Sequence, residues 1–436
     1  MSNMLIPIGK LFNLEKGNLQ SSKCTPGKYN FITAAQTWKT HNSFDHDCEA
    51  LIIAVAASGS LGRTHYVNGE FVSSDLCFIL TPKDNKEYPI NLSFYHFVFN
   101  SMRAELVSAT KSGTSKESIN QKNFKKYDLP YFDIKQQNLW IKKLQNTLSH
   151  KNELVAELTH QQSLLKKLHQ QILQEAIEGK LTKDWRAKNP NVEPASELLK
   201  RIKAEKEQLI KEKKIRKGKK QEANKLSNND VVHPENWELA DMDDICQFIT
   251  DGTHQTPSYT SSGRIFLSAQ NVKPFKFMPE NHKFVSEVDY QQYVKNRFVE
   301  KGDLLLGRVG AGIGETAVVD REIECAIYVS LGLIKTFKKI TNSDYLAIVF
   351  NSPYGIKYAK GNISSGGSAG NFNLGRIRSF PIPLPPLLEQ KAIVEKVDKL
   401  FTICDNLEKE ISENKINSEQ LMQAVLKEAF EGESNE

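Results

Sequence analysis

The glycines of GRVGAGIGE (307–315) have the spacing of a cofactor loop: Gly310, Gly312 and Gly314 follow the apolar run DLLL (303–306). Such a loop, after a strand, can turn backbone amides toward the phosphates or carboxylate of a nucleotide cofactor. Two polar clusters also hold reactive types. HNSFDHDC (41–48) offers His41, His46, Asp47 and Cys48, all types that can ligate zinc. DGTHQTPSY (251–259) crowds Asp251, Thr253, His254, Gln255 and Thr256 at one turn. A hydrolase there would need a partnered base, and no second cluster supplies one. The turn reads better as a polar loop for the edges of nucleic-acid bases.

The elements that must position these residues come in duplicate. With the chain shifted on itself by 253, Ser112-Gly113 falls on Ser365-Gly366, Asn120 on Asn373, Pro130 on Pro383 and Gln137 on Gln390. LQEAIEG (173–179) likewise falls on LKEAFEG (426–432). Earlier segments repeat at shorter offsets. Phe31-Ile32-Thr33-Ala34 lies on Phe266-Leu267-Ser268-Ala269 at 235, and VFNS (98–101) on VFNS (349–352) at 251. Loop insertions in the second copy would produce that drift. The chain is therefore two copies of one module, each a globular part followed by a helical part. Strand-like runs (50–56, 75–80, 264–269, 316–319) and short helical runs predict an α+β globular part.

The duplication tests the motifs. The first-copy partner of the glycine loop is AVAASGSLGR (54–63), which keeps Gly59 and Gly62 but not the full spacing. A cofactor loop opens a helix, yet ETAVV follows, with β-branched residues and no cap. The loop reads as a turn between two strands. NSPY (351–354) is near the Asn/Asp-Pro-Pro-Tyr pattern of enzymes that methylate amino groups of DNA bases, but Ser352 replaces the first proline. Its partner is NSMR (100–103), so Pro353 and Tyr354 read as the punctuation of a helix end. HNSFDHDC has no counterpart and reads as an exposed polar loop.

In the helical parts, apolar residues recur at sevens: Ile141, Leu148 and Val155 beside Leu144, Leu158, Leu165 and Ile172. The second copy keeps the register with Val394, Phe401, Met422 and Ala429 beside Val397, Cys404, Ile411 and Val425. These are coiled-coil seams, interrupted by Lys151, Gln162, His169, Glu408, Lys415 and Ser418. About 48 residues per helix gives a rod of roughly 70 Å. Two matching rods in one chain predict pairing with each other, antiparallel. From Ser196 to Lys225 twelve Lys or Arg face five Glu, a net of +7 against +6 for the whole chain. This run can bind phosphates or form a solvated helix face. The six cysteines are scattered without CxxC, which argues against a disulfide framework or a tetrathiolate zinc site. No apolar run approaches a membrane span and no secretory signal is visible, so a cytoplasmic protein is expected.

DGTHQTPSYTSSGRIFLSAQNV (251–272), DLLLGRVGAGIGETAVV (303–319), IPLPPLLEQKAIVEKVDKLF (382–401) and QQILQEAIEGKLTKDWR (170–186) resemble the specificity subunit of type I restriction–modification systems. The resemblance covers nearly the whole chain, and LPPLLEQ before a long helix is its most specific element. It implies target recognition domains at 1–128 and 235–382, long spacer helices at 129–180 and 383–436, and a basic helical linker at 181–234. Each recognition domain would read one half of a bipartite DNA sequence, and the paired helices would set the spacing. The chain itself would be non-catalytic and hold no cofactor or metal. Two methyltransferase subunits using S-adenosylmethionine would dock on it, and two motor-nuclease subunits using ATP and magnesium can join them. The DNA-binding candidates are loop residues suited to base edges or phosphates: Gln36, Arg63, His65, Lys111, Gly113 and Asn120 in the first copy. In the second they are Thr253, His254, Gln270, Asn271, Arg308, Gly366, Asn371 and Asn373. Two alternatives remain at this point: a coiled-coil scaffold with protein-binding heads, and an autonomous methyltransferase with its own cofactor site.

Overall fold

The computed structural model describes residues 4–56, 59–84, 86–112, 117–215, 231–295, 297–364 and 370–431. The chain divides into two compact units, Met1–Gln161 with Glu410–Glu436, and Gln162–Lys409. In the first unit a six-stranded sheet has the order Phe12–Lys16, Cys77–Pro82, His46–Ala54, Thr64–Ser73, Tyr29–Ile32, Lys39–His41. The continuous apolar run in its third strand is buried on both faces. Leu51 and Ile53 pack with Phe78, Leu80, Phe94 and Phe99, while Ile52 and Ala54 pack with Phe71 and Ile79. Alternate residues of a strand point to opposite faces, so an unbroken apolar run needs cover on both sides.

The second unit has the same strand neighbours in two pieces. Cys246–Asp251, Leu331–Thr336, Leu304–Gly307 and Thr316–Val318 form one sheet. Tyr259–Thr260, Lys283–Val285, Arg264–Leu267 and Cys325–Ile327 form the other. In the first unit the ten-residue strand Thr64–Ser73 pairs antiparallel with His46–Ala54 and parallel with Tyr29–Ile32. In the second, Thr316–Val318 makes the antiparallel pairing and Cys325–Ile327 the parallel one. The offset drift also has its source here. Between Arg264–Leu267 and Leu304–Gly307 the second copy carries the hairpin Val272–Phe277, the strand Lys283–Val285 and the helix Glu287–Val294.

The methyl-transfer motifs turn out to be framework. Asn351 Nδ2 donates to the Thr316 carbonyl at 2.8 Å and its Oδ1 accepts the Thr316 amide at 3.1 Å. Asn100 does the same to Thr64, at 2.9 and 3.2 Å. Each asparagine closes a two-point clamp between a helix and the first residue of a strand. Ser352 and Pro353 begin the helix Pro353–Gly361, with the serine hydroxyl accepting from the Gly355 amide. The glycine loop is the turn joining Leu304–Gly307 to Thr316–Val318, closed by Gly314 N–H to the Gly307 carbonyl at 2.9 Å. Gly62 makes the same bond to Ala54 at 2.7 Å. Gly62 and Gly314 have φ of 77° and 90°, which only glycine adopts without strain.

The long helices span Ile134–Ile177 and Leu387–Glu431. Pro130 and Pro383 lie in the short strands Asp128–Tyr131 and Pro381–Leu384, paired antiparallel with Met4–Pro7 and Glu238–Asp241, and the second long helix begins directly after Pro385 and Pro386. Proline suits such two-stranded edges because it has no ladder donor to lose. Within each unit the two helices run antiparallel. In the first, Ile141 and Leu144 join Met422, Ala429 and Phe430 in the core, and Lys151 pairs with Glu419 at 2.7 Å. In the second, the His169 ring lies 4.9 Å from that of Phe401. Glu389, fully buried, accepts from Thr182, Arg186 and Trp237, which ties the segment after the first helix to the start of the second. The linker continues as Lys183–Lys188 and Ala195–Lys211, with Ala195, Leu198 and Ile202 buried. Residues 216–225 of the basic run lie outside the described residues.

Thr316 is fully buried, so Asn351→Ala strips partners from groups that water cannot reach. A loss of about 2 kcal/mol in unfolding free energy is expected, read by denaturant titration, with Asn100→Ala showing a similar loss in the first unit. A change within about 0.5 kcal/mol, the size of a surface substitution, would contradict the clamp.

Candidate nucleic-acid interface

Two candidates of the second unit, His254 and Arg308, meet at Asp251, the last residue of Cys246–Asp251 and only 7% exposed. Its Oδ2 accepts from Arg308 Nη1 and lies 3.1 Å from His254 Nε2. Arg308 is 4% exposed. It donates from Nε to the Phe372 carbonyl at 3.0 Å, from Nη1 to the Val329 carbonyl at 3.1 Å, and from Nη2 to Asn371 Oδ1 at 3.4 Å. One guanidinium thus fastens three segments, which its planar fork of five donors allows and an ammonium would not. Gly252 lets the chain turn here, because a Cβ would sit 2.1 Å from the Ile327 carbonyl oxygen. Thr253 is buried and its hydroxyl accepts from the Gln255 amide. His254, with its side chain 70% exposed, is the group this cluster offers to solvent.

Arg308 does not present itself to base edges, because it is buried with its donors committed to the protein. Asn271 is fully buried as well: Oδ1 accepts the Ser268 amide, and Nδ2 donates to the Met278 and Asn281 carbonyls. Its amide has no hydrogen left for a base. Gln270, next to it, is exposed. Asn373 caps the helix Leu374–Arg378 through Gly375 N–H at 2.7 Å.

The first unit builds its loops differently. Arg308 and Asp251 have Val55 and Lys16 as counterparts, since Ile119 N–H to Val55 matches Phe372 N–H to Arg308. Here the loop after Tyr29–Ile32 is pinned from the strand Thr64–Ser73. Arg63 donates to the Ala34 carbonyl at 2.8 Å, and His65 Nε2 to the Ala35 carbonyl at 2.9 Å. His65 Nδ1 accepts from Trp38 Nε1 at 3.2 Å. Burial pushes the His65 pKa down, which suits a neutral ring with one donating and one accepting nitrogen. Both nitrogens are occupied, so His65 positions the loop instead of reading a base. Gln36, exposed between the pinned Ala35 and Trp38, is what the loop presents. Trp38 itself, 38% exposed, was missed by the sequence reading. A lone aromatic in the polar run AAQTWK was its only signal. Lys111 is exposed beside Glu117 at 2.8 Å, and Asn120 caps the helix Gln121–Lys126. Gly113 and Gly366 lie outside the described residues.

A sequence model described as "Type I restriction modification DNA specificity domain" matches residues 3–161 and 234–417, once per copy. This chain belongs to that family. Among curated specificity-family relatives, the type I restriction enzyme EcoDI specificity subunit of Escherichia coli is 23% identical over 432 residues. That match covers 98% of this chain and 88% of the relative. The EcoAI specificity subunit of Escherichia coli is 29% identical over 270 residues, covering 60% of this chain and only 44% of that subunit. Two solved structures share the fold. A chain from a structure on complex assembly and conformational transition of the type I R-M system is 14% identical, with a TM-score of 0.64, covering 98% of this chain and 97% of its own. The HsdS subunit from Thermoanaerobacter tengcongensis is 15% identical, with a TM-score of 0.55, covering 98% and 96%. No helix among the described residues is long and apolar enough to cross a membrane.

The HNSFDHDC segment of this specificity-family chain is strand as well as loop. His41 ends Lys39–His41, is buried, and accepts the Thr25 amide at 3.1 Å. His46 starts the next strand, stacks on Phe71 at 5.1 Å, and meets Asp45 at 2.5 Å and Glu15 at 3.2 Å. Cys48 continues that strand beside Asp47. Among the described residues no group of three or more His, Cys, Asp or Glu is placed to hold a metal. Burial lowers the His46 pKa, but hydrogen bonds to Asp45 and Glu15, with their charges, more than reverse this and leave it raised above 6.5. A raised folded-state pKa stabilises the fold at acidic pH. That contribution is complete below the unfolded value and disappears as pH rises through the folded one. NMR titration should place His46 above 6.5, and Glu15→Gln with Asp45→Asn should bring it down. A His46 that titrates below the free value would refute the pairing.

Proposed function

We propose that this chain is the DNA-reading subunit of a type I restriction–modification assembly and carries no catalytic site of its own. Each unit reads one half of a bipartite double-stranded site, and the paired helices hold the two readers in register. The supporting observation is a shared framework with different reading loops. Both copies keep the asparagine clamp and the glycine turn. Where one fastens its loops with Arg308 and Asp251, the other has Val55 and Lys16 and pins its loop through Arg63 and His65. Two readers on one frame suit two unlike half-sites. The EcoDI and EcoAI relatives are themselves described as specificity subunits.

The residues that meet base edges on this reading are Gln36 and Trp38 in the first unit and His254, Gln270 and Asn371 in the second. On the same reading Lys111, Asn120 and Asn373 contact phosphates. Gly113 and Gly366 remain candidates for close backbone approach. Two methyltransferase subunits supply S-adenosylmethionine chemistry, and two motor-nuclease subunits supply ATP- and magnesium-dependent cleavage when they join the assembly. The assembly works where the DNA is, in the cytoplasm of a bacterium or archaeon.

Methylation mapping of a host genome with and without the gene identifies the site. Replacing 235–380 as a block should change one half-site and leave the other intact; a change in both would refute the modular reading. His254→Ala should lower discrimination at one base pair of the second unit's half-site by about 10- to 100-fold. Uniform weakening across all sequences would instead make His254 a backbone contact.

A further inference from the structure

The second unit contains a cavity of about 300 Å³ lined by Phe275, Val318, Asp344, Ala347, Ile348, Val394, Val397, Asp398 and Phe401. Its floor is apolar: Ala347, Ile348 and Val397 are buried. Two aromatic walls stand edge to face, Phe275 and Phe401, with ring centroids 5.7 Å apart. Phe275 comes from the inserted hairpin and holds φ at 61°, the left-handed region that a phenylalanine adopts only under constraint. Asp344 and Asp398 are the two charged residues of the lining; both are exposed, and neither takes part in a salt bridge among the described residues. Partial desolvation in the cavity raises the pKa of both, and the charge of Asp398 adds to the effect on Asp344.

The first copy serves as an internal control. The clamped threonines and the helix-capping Asn91 and Asn342 align the two frames. On that alignment Val318 corresponds to Tyr66, Ile348 to Phe97, Asp344 to Ser93 and Asp398 to Gln145. The first copy packs Tyr66 and Phe97 against its own core and carries no acid at the other two positions. The second has smaller side chains, two carboxylates and an added aromatic wall from an insertion. The cavity therefore belongs to the second copy's divergence, not to the shared frame.

We propose that this cavity receives an arginine side chain of a partner polypeptide. Its occupant must bring an apolar stem for the floor and a positive head for two carboxylates. Arginine has both, and its flat guanidinium also lies well against aromatic rings. A charged group over such a pocket is favoured only when it pairs with the acids, so the cavity selects a basic side chain over a neutral one of equal size. That the occupant arrives on a docking partner rests on the assembly reading above. Because the first copy lacks the acids, the site makes the second unit's docking position chemically distinct from the first's.

The cavity and its occupant are tested in separate arms. In the first, n-butylguanidinium and its neutral counterpart N-butylurea are titrated into the full chain and followed by ligand-observed NMR. The cation should bind at least about tenfold more tightly than the urea. Asp344→Asn with Asp398→Asn should abolish that preference, and Val318→Tyr, which copies the first unit, should close the cavity to both. Equal binding of cation and urea, or a preference that survives loss of both acids, overturns the cavity proposal and leaves the DNA-reading proposal untouched. In the second arm the double asparagine variant is assembled with the methyltransferase subunit. A loss of about tenfold or more in affinity is expected for one of two docking positions. Unchanged affinity at both overturns the partner as the source of the arginine.

Discussion

A buried amide joins each head to its long helix. Gln137 and Gln390 are 0% and 1% exposed, near the first turn of their helices. Their Oδ-equivalent Oε1 atoms accept the backbone amides of Asn91 and Asn342, each the cap of a helix in the globular part. Their Nε2 atoms donate to carbonyls just before the long helix, those of Phe132 and Pro385. A buried amide is favourable only when its donors and acceptor are all met at once. The exit direction of the helix is therefore coupled to the packing of the head, and neither can shift without leaving polar groups unpaired. Coiled-coil seams alone would not achieve this, since the first is broken by Lys151 and the second by Lys415.

With that junction held in common, the two units differ in how their loops are fastened. Framework groups answer to buried backbone: Asn100 and Asn351 to a strand, Gln137 and Gln390 to a cap. Loop groups answer to each other. In the second unit a buried arginine and aspartate hold three segments, and removing one partner of such a pair costs about 3–5 kcal/mol. The first unit achieves loop order with carbonyl contacts and one neutral histidine. Two solutions to one mechanical problem leave different side chains exposed, which is what a pair of readers for unlike sequences requires.

Much of this was legible in the sequence because duplication supplies its own comparison. The repeat separated framework from ornament: Gly62 beside Gly314 and VFNS beside VFNS marked structure, although GRVGAGIGE and NSPY taken singly suggested catalysis. The seam residues Leu158, Leu165, Val397 and Cys404 were readable from their spacing and are buried. What sequence could not give was the direction of polar side chains. Asn271 and Gln270 are neighbours of similar chemistry, yet one is buried with every donor used and the other is exposed. Arg308 looks like a base reader until Asp251, a distant position in the chain, is seen beside it. The strand pairing of Pro383 with Leu239 is likewise a long-range fact.

The divided strand of the second unit has a consequence for how the two copies can change. In the first, Thr64–Ser73 carries ladders on both edges, so a shift at the Tyr29–Ile32 side is transmitted to the side that packs on the helices. In the second, residues 319–324 break the same strand, and each piece bonds to a different neighbour. The inserted region can accept lengthening or replacement while the helix-facing sheet keeps its register. The second copy thus has a joint between its inserted region and its helix-facing sheet at the place where the first has one continuous strand.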